Sequence, residues 1–419
     1  MVEKFPPIQN SKKYVPAQIN NDGQTSTHAS LRNCILRSEF CPCTLNVFKN
    51  WYNNIKIKEY DSYYTEELLY DSLQSYIDSF SSSQKEEYQE AYDNYIEKRM
   101  YDSIRFNGDK EFNNKMVVLC KSHVKTDEIV NTDYKFRNIT AQNSFGKILM
   151  GWIVGEATNI NKKLFYGFDC GKNFKQLGAS HTESINMFPD PVCIDIDGSG
   201  FDATQYGEIK EITDTQRYKI LADRICAADD TLRREDVYLV LEEMHQVVSN
   251  HKSAISYTVY GTVGSGYMST SDANTERTRV YIEYGMRNSK IPYRIHALGD
   301  DCRIYCDRKD AEEICKILRE EVYVDEGECG KLGQIAKKMM INNVEDGEYL
   351  STQIFRDEHD SYKFIRLLNR VIIQSPYTYN NPYEKEIKVT RYNQDLNLDC
   401  YYNIEAWSYG LKVFDDFEP

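Results

Sequence analysis

The stretch DIDGSGFDAT, residues 195 to 204, decides how the chain is read. Its carboxylates admit two readings. Counted from Asp195 it opens like a calcium loop, with Asp195, Asp197 and Ser199 at alternate positions and Gly200 sixth. Counted from Asp197 it is a pair of aspartates, Asp197 and Asp202, on either side of a tight turn. A calcium loop of the EF-hand type needs a bidentate Glu at its twelfth position and a helix on each side. Here the twelfth residue is Tyr206 and the eighth, normally apolar, is Asp202. Upstream, PVCI reads as a strand rather than an entering helix. The calcium reading fails on both counts. What remains is a strand that delivers carboxylates to its own end.

Two aspartates do not make a divalent-metal site alone, because a hard cation needs several oxygen ligands. A partner is present at ALGDDCRI, where Asp300 and Asp301 follow Gly299. Adjacent aspartates at a turn repel one another and are costly without a cation nearby, although Gly-Asp-Asp is also ordinary turn chemistry. Between the two acidic stretches lies GSGYMSTSDANTERTR, which contains Ser265, Gly266, Thr270, Asn274 and Thr275. Thr270 and Asn274 are four apart, so a helix beginning near 269 puts both on one face.

The order D-x4-D, then S-G-x3-T-x3-N-T, then G-D-D resembles motifs A, B and C of viral RNA-dependent RNA polymerases of positive-strand RNA viruses. The surroundings are similar to the tombusvirus-like and nodavirus-like polymerases. VVLCKSHVKTDE and KFRNITAQNS resemble their basic motif F, and GEYLSTQIF their motif E hairpin. The resemblance covers roughly residues 115 to 356. Motif F departs from the usual pattern, with Phe136 and Thr140 near places where relatives carry Pro and Gln.

The resemblance implies that Asp197 and Asp300, assisted by Asp301, hold two Mg2+ ions, for which Mn2+ can substitute. It implies that Asp202, Asn274 and Thr270 read the ribose, with Ser265 and Gly266 also at the nucleotide. Lys121, Lys125, Lys135 and Arg137 would grip the triphosphate. Lys337 or Lys338 would be the general acid, with Lys331 as the alternative. Asp195 points to the same face as Asp197 but receives no catalytic role. A reverse transcriptase typically has an aromatic residue near the Asp202 position, and the aspartate argues against one. A non-catalytic RNA-binding relative is the rival from another class. The implied partners are RNA template and product, ribonucleoside triphosphates, and other viral or host replication proteins. The implied place is the cytoplasm of an infected cell, at membranes only through a partner.

Composition is compatible with this reading. The chain has 419 residues, 41% hydrophobic and 28% charged, as in a folded protein with a large core. The net charge of -14 is unfavourable for binding phosphate backbones unless charge is segregated. It is segregated: residues 59 to 102 are rich in Glu, Asp and Tyr, whereas 121 to 175 carry nine Lys and Arg residues. No apolar run approaches the ~18 residues of a membrane span. The opening residues have no signal-peptide core, so neither secretion nor organelle import is expected. Twelve scattered cysteines read as reduced thiols. Cys34, Cys41 and Cys43, with His28, are the one cluster that resembles zinc ligands, but at poor spacing.

Strands and helices alternate without a βαβ rhythm, which predicts an α+β fold. The resemblance refines this to a right hand: arm and fingers over 1–190, palm over 191–215, a fingers insertion over 216–260, palm over 261–345, and motif E with a small thumb over 346–419. Two helices are predicted within the last regions of interest: DDTLRREDVYLVLEEMHQVVSN at 229–250, and YKFIRLLNRVII at 362–373, whose Arg366 and Arg370 would share a face toward RNA.

Overall fold

A computed structural model describes residues 14–16, 42–65, 67–104, 119–124, 129–131, 138–243, 246–251, 256–324, 331–357 and 360–366. The architecture is mixed α+β. Its centre is a five-stranded sheet in the order Tyr323–Val324, Gln334–Asn343, Pro191–Gly198, Asp301–Asp307, Arg294–Leu298. The first pair is parallel and the rest are antiparallel. Side chains alternate between the faces of such a sheet. Val192, Ile194, Ile196, Cys302, Ile304 and Cys306 point one way and join the main core. Cys193, Asp195, Asp197, Asp301, Arg303 and Tyr305 therefore share the opposite face. The sequence DIDGSG is thus a strand with an oily side and an acidic side.

Helices cover the oily face. Ser144–Leu164 buries Ile148, Leu149, Trp152, Ile153 and Ala157. Its Glu156 is 1% exposed and accepts hydrogen bonds from Leu69 N, Tyr70 N and Trp152 Nε1. A buried carboxylate is tolerable only with such donors. The acidic N-terminal region folds into Pro42–Tyr63, Leu73–Asp78 and Ser82–Ile104.

The helix Thr270–Gly285 is unusual. Thirteen of its sixteen residues are buried, yet it is rich in charge. Ion pairs make this possible: Asp272 with Arg217, Arg277 with Asp214, and Arg279 with Glu276 and Glu283. Removing one partner of such pairs is costly because the other is left buried.

A second sheet runs Asn138–Ala141, Leu119–Val124, Gln246–His251, Ser256–Tyr260. This corrects the helix expected over 229–250. The helix spans only Arg234–Glu243. Gln246–His251 is a strand, parallel to Leu119–Val124 and antiparallel to Ser256–Tyr260; pairing on both sides outweighs the helical spacing. The helix expected over 362–373 is likewise corrected at its start. Tyr362–Arg366 is a strand paired antiparallel with Thr352–Arg356. Tyr362 and Phe364 point into a satellite core with Tyr349 and Ile354. Arg366 is therefore a strand residue, and Arg370 lies outside the described residues. No helix among the described residues is long and apolar enough to cross a membrane.

Candidate functional site

Asp197 is the penultimate residue of the strand Pro191–Gly198, and Asp301 opens the strand Asp301–Asp307. Ile196 is opposite Cys302 in the antiparallel register, so Asp197 and Asp301 fall on the next rung. Side chains directly opposite have Cβ atoms about 5 Å apart. Asp300 sits on the two-residue turn that joins Leu298 to Asp301. Gly299 makes that turn possible, with φ 64° as the first central residue.

The electrostatics follow from this crowding. Burial pushes the Asp301 carboxyl up to about 7, and the charges of Asp300, Asp197, Glu348 and Asp195 add to the push. Negative charge at this density fits an oxygen-liganded divalent cation. A cavity of about 380 Å3 adjoins the carboxylates, lined in part by Asp197, Asp301, Lys338, Asp346 and Glu348.

Asp195 shares the acidic face but is committed elsewhere. Arg303 donates to it twice, Nε at 2.6 Å and Nη2 at 3.1 Å, and Asn342 donates Nδ2 at 3.0 Å. Asp195, Arg303 and Asn342 thus form a bonded group on the face that carries Asp197.

Asn274 donates Nδ2 to Asp202 Oδ1 at 2.9 Å. Thr270 points away from this pair in its bonding: Oγ1 donates to Gly264 O at 2.9 Å and braces the loop before the helix. Ser265 O accepts from Thr140 N at 2.8 Å. Gly266 has φ 118°, and a Cβ there would lie 3.0 Å from Ile139 Cγ2. Ser265 and Gly266 thus dock the loop onto the second sheet.

The same helix clasps the acidic turn. Thr275 Oγ1 accepts from Gly299 N at 2.8 Å, and Thr278 Oγ1 donates to Gly299 O at 2.8 Å. Both polar backbone groups of Gly299 are therefore taken by one helix, the one that also carries Asn274. Thr278 was not among the residues that the motif order singled out, and the partner of the pair was not visible in the sequence. We expect Thr275→Val/Thr278→Val to lower the thermal midpoint, since it leaves Gly299 N and O without their side-chain partners, each loss costing about 1–3 kcal/mol. Thermal unfolding checks this, and an unchanged midpoint would mean that the clasp does not hold the turn.

The remaining residues singled out from sequence are placed as follows. Lys338 is exposed, opposite Asp197 on the neighbouring strand, and lines the cavity. Lys337 sits at the register shift between Ala336 and Lys338. Lys331 is not at the cavity; its Nζ donates to Arg319 O and Tyr323 O at the end of the helix Ala311–Glu321. Lys121 lies in the strand Leu119–Val124. Lys125, Lys135 and Arg137 lie outside the described residues, as do Cys34, Cys41 and His28. Cys43 is an exposed free thiol.

Sequence reading missed a buried lysine. Lys210 Nζ donates to Thr262 O at 2.7 Å. Burial, then the nearby Arg277 charge, pushes its ammonium down to about 7. Thr262 N and Val263 N in turn donate to Gln205 O and Asp202 O. The backbone of Asp202 is thereby tied to the loop before Asn274.

A second polar cluster lies under the sheet. Asp169, His181 and His296 are fully buried, and their donor atoms lie within 4.8 Å of one another, so they could hold a metal ion. Their hydrogen bonding closes without one. Asp169 Oδ2 accepts from His181 Nε2 at 3.0 Å, His296 Nδ1 at 3.2 Å and Tyr349 OH at 2.9 Å. Lys172 donates to Oδ1 at 3.0 Å. The other ring nitrogens meet Tyr305 OH at 2.7 Å and Ser184 Oγ at 2.8 Å. The ring centroids are 3.7 Å apart, whereas two imidazoles on one tetrahedral zinc, with bonds of about 2.0–2.1 Å, would sit about 5 Å apart. The group is a hydrogen-bonded joint between the sheet, the helix Phe174–Ile185 and the 348–366 hairpins.

Burial, with a smaller push from His296, holds the His181 imidazole down at about 3. Its folded value is below the unfolded one, about 6.5. Stability is therefore level above that value and falls as pH drops toward 3, because only the unfolded state takes the proton. We expect the thermal midpoint to fall from pH 6.5 to 5, and His181→Gln to flatten that slope. An equal slope in both proteins would contradict the assignment.

No protein-family model matches the chain, and no curated protein matches it.

Proposed function

We propose that this chain is an RNA-dependent RNA polymerase of the viral type, adding ribonucleotides to an RNA 3′ end under the direction of a template. The observation that carries the reading is the adjacency of two chemistries. Asp197, Asp300 and Asp301 crowd together at a strand end and a tight turn, while Asn274, bonded to Asp202, is carried by the helix whose Thr275 and Thr278 bond that turn. The motif order in the sequence supports it further. In this reading the five-stranded sheet is the palm, the second sheet and N-terminal helices belong to the fingers, and the thumb follows the hairpin at 348–356.

Asp197, Asp300 and Asp301 would hold Mg2+, or Mn2+ in its place; their oxygen-only donor set suits either. When bound, such ions lower the pKa of a hydroxyl nucleophile and stabilise a leaving pyrophosphate. The chain's own groups do the rest. Asp202 and Asn274 fix the sugar, an accepting carboxylate beside a donating amide suiting a hydroxyl that both donates and accepts. Lys338, across from Asp197 and lining the cavity, would give a proton to the departing pyrophosphate. The Thr275–Thr278 clasp keeps the carboxylate turn and the sugar reader in one frame, so that the 3′-hydroxyl meets the α-phosphate in line. RNA template and product would be held by backbone contacts and stacking. Membrane association would come from a partner.

The test is incorporation of labelled ribonucleotides on a primed RNA template with Mg2+ or Mn2+, comparing the wild type with Asp300→Asn. Template-dependent product that disappears in the variant supports the reading. RNA binding without product in the wild type would favour a non-catalytic RNA-binding subunit.

A further inference from the structure

We propose that Arg277, anchored by Asp214, is the positioning residue that makes the Asp202–Asn274 pair selective for ribose over deoxyribose; the inference rests on the polymerase reading above. Arg277 and Asp214 are 1% and 2% exposed, and neither emerges from the motif pattern in the sequence. Arg277 Nη1 pairs with Asp214 Oδ2, and Nη2 donates to Asn274 Oδ1. Asp214 is itself steadied by Thr213 Oγ1 at 2.9 Å. It lies in the π-helical turn Glu211–Thr215, an insertion of a kind often retained at functional sites.

The chemistry of these donors dictates the orientation of Asn274. A guanidinium only donates, so the amide atom facing Arg277 must be the oxygen. The amide nitrogen is thereby turned to Asp202, where the 2.9 Å contact is found. One amide hydrogen goes to Asp202. The other has no further partner among the described residues and is left for a substrate. A 2′-hydroxyl can accept from that amide and donate to Asp202, whereas a deoxyribose can do neither.

Without Arg277 the amide loses the group that holds its oxygen. It can then turn away from Asp202 or present oxygen to the sugar, and the hydroxyl loses its donor. Discrimination against a substrate that lacks a hydroxyl depends on site groups that go unpaired when it binds. A site free to turn imposes a smaller penalty.

The experiment measures kcat/KM for a ribonucleoside triphosphate and its 2′-deoxy counterpart on the same primed RNA template. The proteins are the wild type, Arg277→Met and Arg277→Lys. The Lys variant keeps a charge against Asp214 but cannot fork to both partners, and it covers the case in which Arg277→Met does not fold. The readout is the ribose-to-deoxyribose ratio. A smaller folded fraction lowers both rates equally and leaves the ratio unmoved, so a merely structural role would not register. The expected result is a ratio reduced roughly ten- to a hundredfold, with Arg277→Lys less affected than Arg277→Met where both fold. An unchanged ratio in Arg277→Lys, with wild-type incorporation still abolished by Asp300→Asn, overturns this inference and leaves the polymerase reading standing. A wild type that incorporates neither substrate overturns both.

Discussion

On the proposed polymerase reading, Asp197→Asn is expected to abolish nucleotide incorporation, by at least about a thousandfold, while making the metal-free protein more stable. The two effects have one cause. Asp197 lies near the end of its strand, one residue past the Ile196–Cys302 pair, and its charge adds to the burial and the Asp300 charge that push the Asp301 carboxyl up to about 7. Removing that charge relieves repulsion in a crowded site, so thermal unfolding without divalent ions should move upward. The same charge is what a divalent ion would use. Transition-state stabilisation of several kcal/mol by such an ion corresponds to about three decades in rate. A third readout ties them together. Ligands that bind only the folded state raise its stability, so Mg2+ or Mn2+ should raise the wild-type midpoint and raise that of Asp197→Asn much less. A variant that keeps activity, or responds to the ions as the wild type does, would remove Asp197 from the metal site.

Arg303→Met is expected to cost about 1–3 kcal/mol of stability. Arg303 is fully buried, with its guanidinium on the half-buried Asp195 at 2.6 and 3.1 Å. Deleting it leaves the Asp195 carboxylate with Asn342 as its remaining amide donor. Here the stranded carboxylate would also stand two residues from Asp197, adding to the repulsion there. The double variant Asp195→Leu/Arg303→Met should recover much of the loss, because well-packed apolar residues often replace a buried pair at little cost. Urea unfolding of the four proteins gives the coupling energy directly. A double variant as unstable as Arg303→Met alone would mean that Arg303 acts through packing on Tyr349, whose ring lies 5.6 Å from its guanidinium carbon, and not through Asp195.

The parts of the structure legible in the sequence were those governed by local periodicity. PVCIDI is a short apolar run, so its strand could be read, and the two-residue spacing of Asp195 and Asp197 put both on one face before any partner was known. GDD could be read as a turn because Gly299 supplies the positive φ. Two elements were misread, both where a strand follows helical spacing. Val247 and Val248 continue the pattern of the helix before them, and only strands on both sides make them a ladder. Tyr362 and Phe364 alternate inward, but the apolar run after them suggested a helix. The joint at Asp169, His181 and His296 was not legible, since its outer members are 127 positions apart. Nor was the commitment of Asp195, because Arg303 is 108 positions away. The motif order located Asp202 and Asn274; the groups that orient them, Arg277, Asp214 and Lys210, carry no pattern of their own.

The helix Thr270–Gly285 has a consequence for how such a chain can drift. An amphipathic surface helix leaves one face free to vary. This one has little free face. One side bonds the acidic turn through Thr275 and Thr278, another orients Asn274 through Arg277, and a third pairs Asp272 with Arg217 and Glu276 with Tyr60 on other elements, while Arg279 pairs with Glu276 and Glu283 of the helix itself. In a library of single substitutions it should be among the least permissive segments described, in its polar positions as much as its apolar ones. A charge reversal there should persist only alongside a matching reversal in its partner.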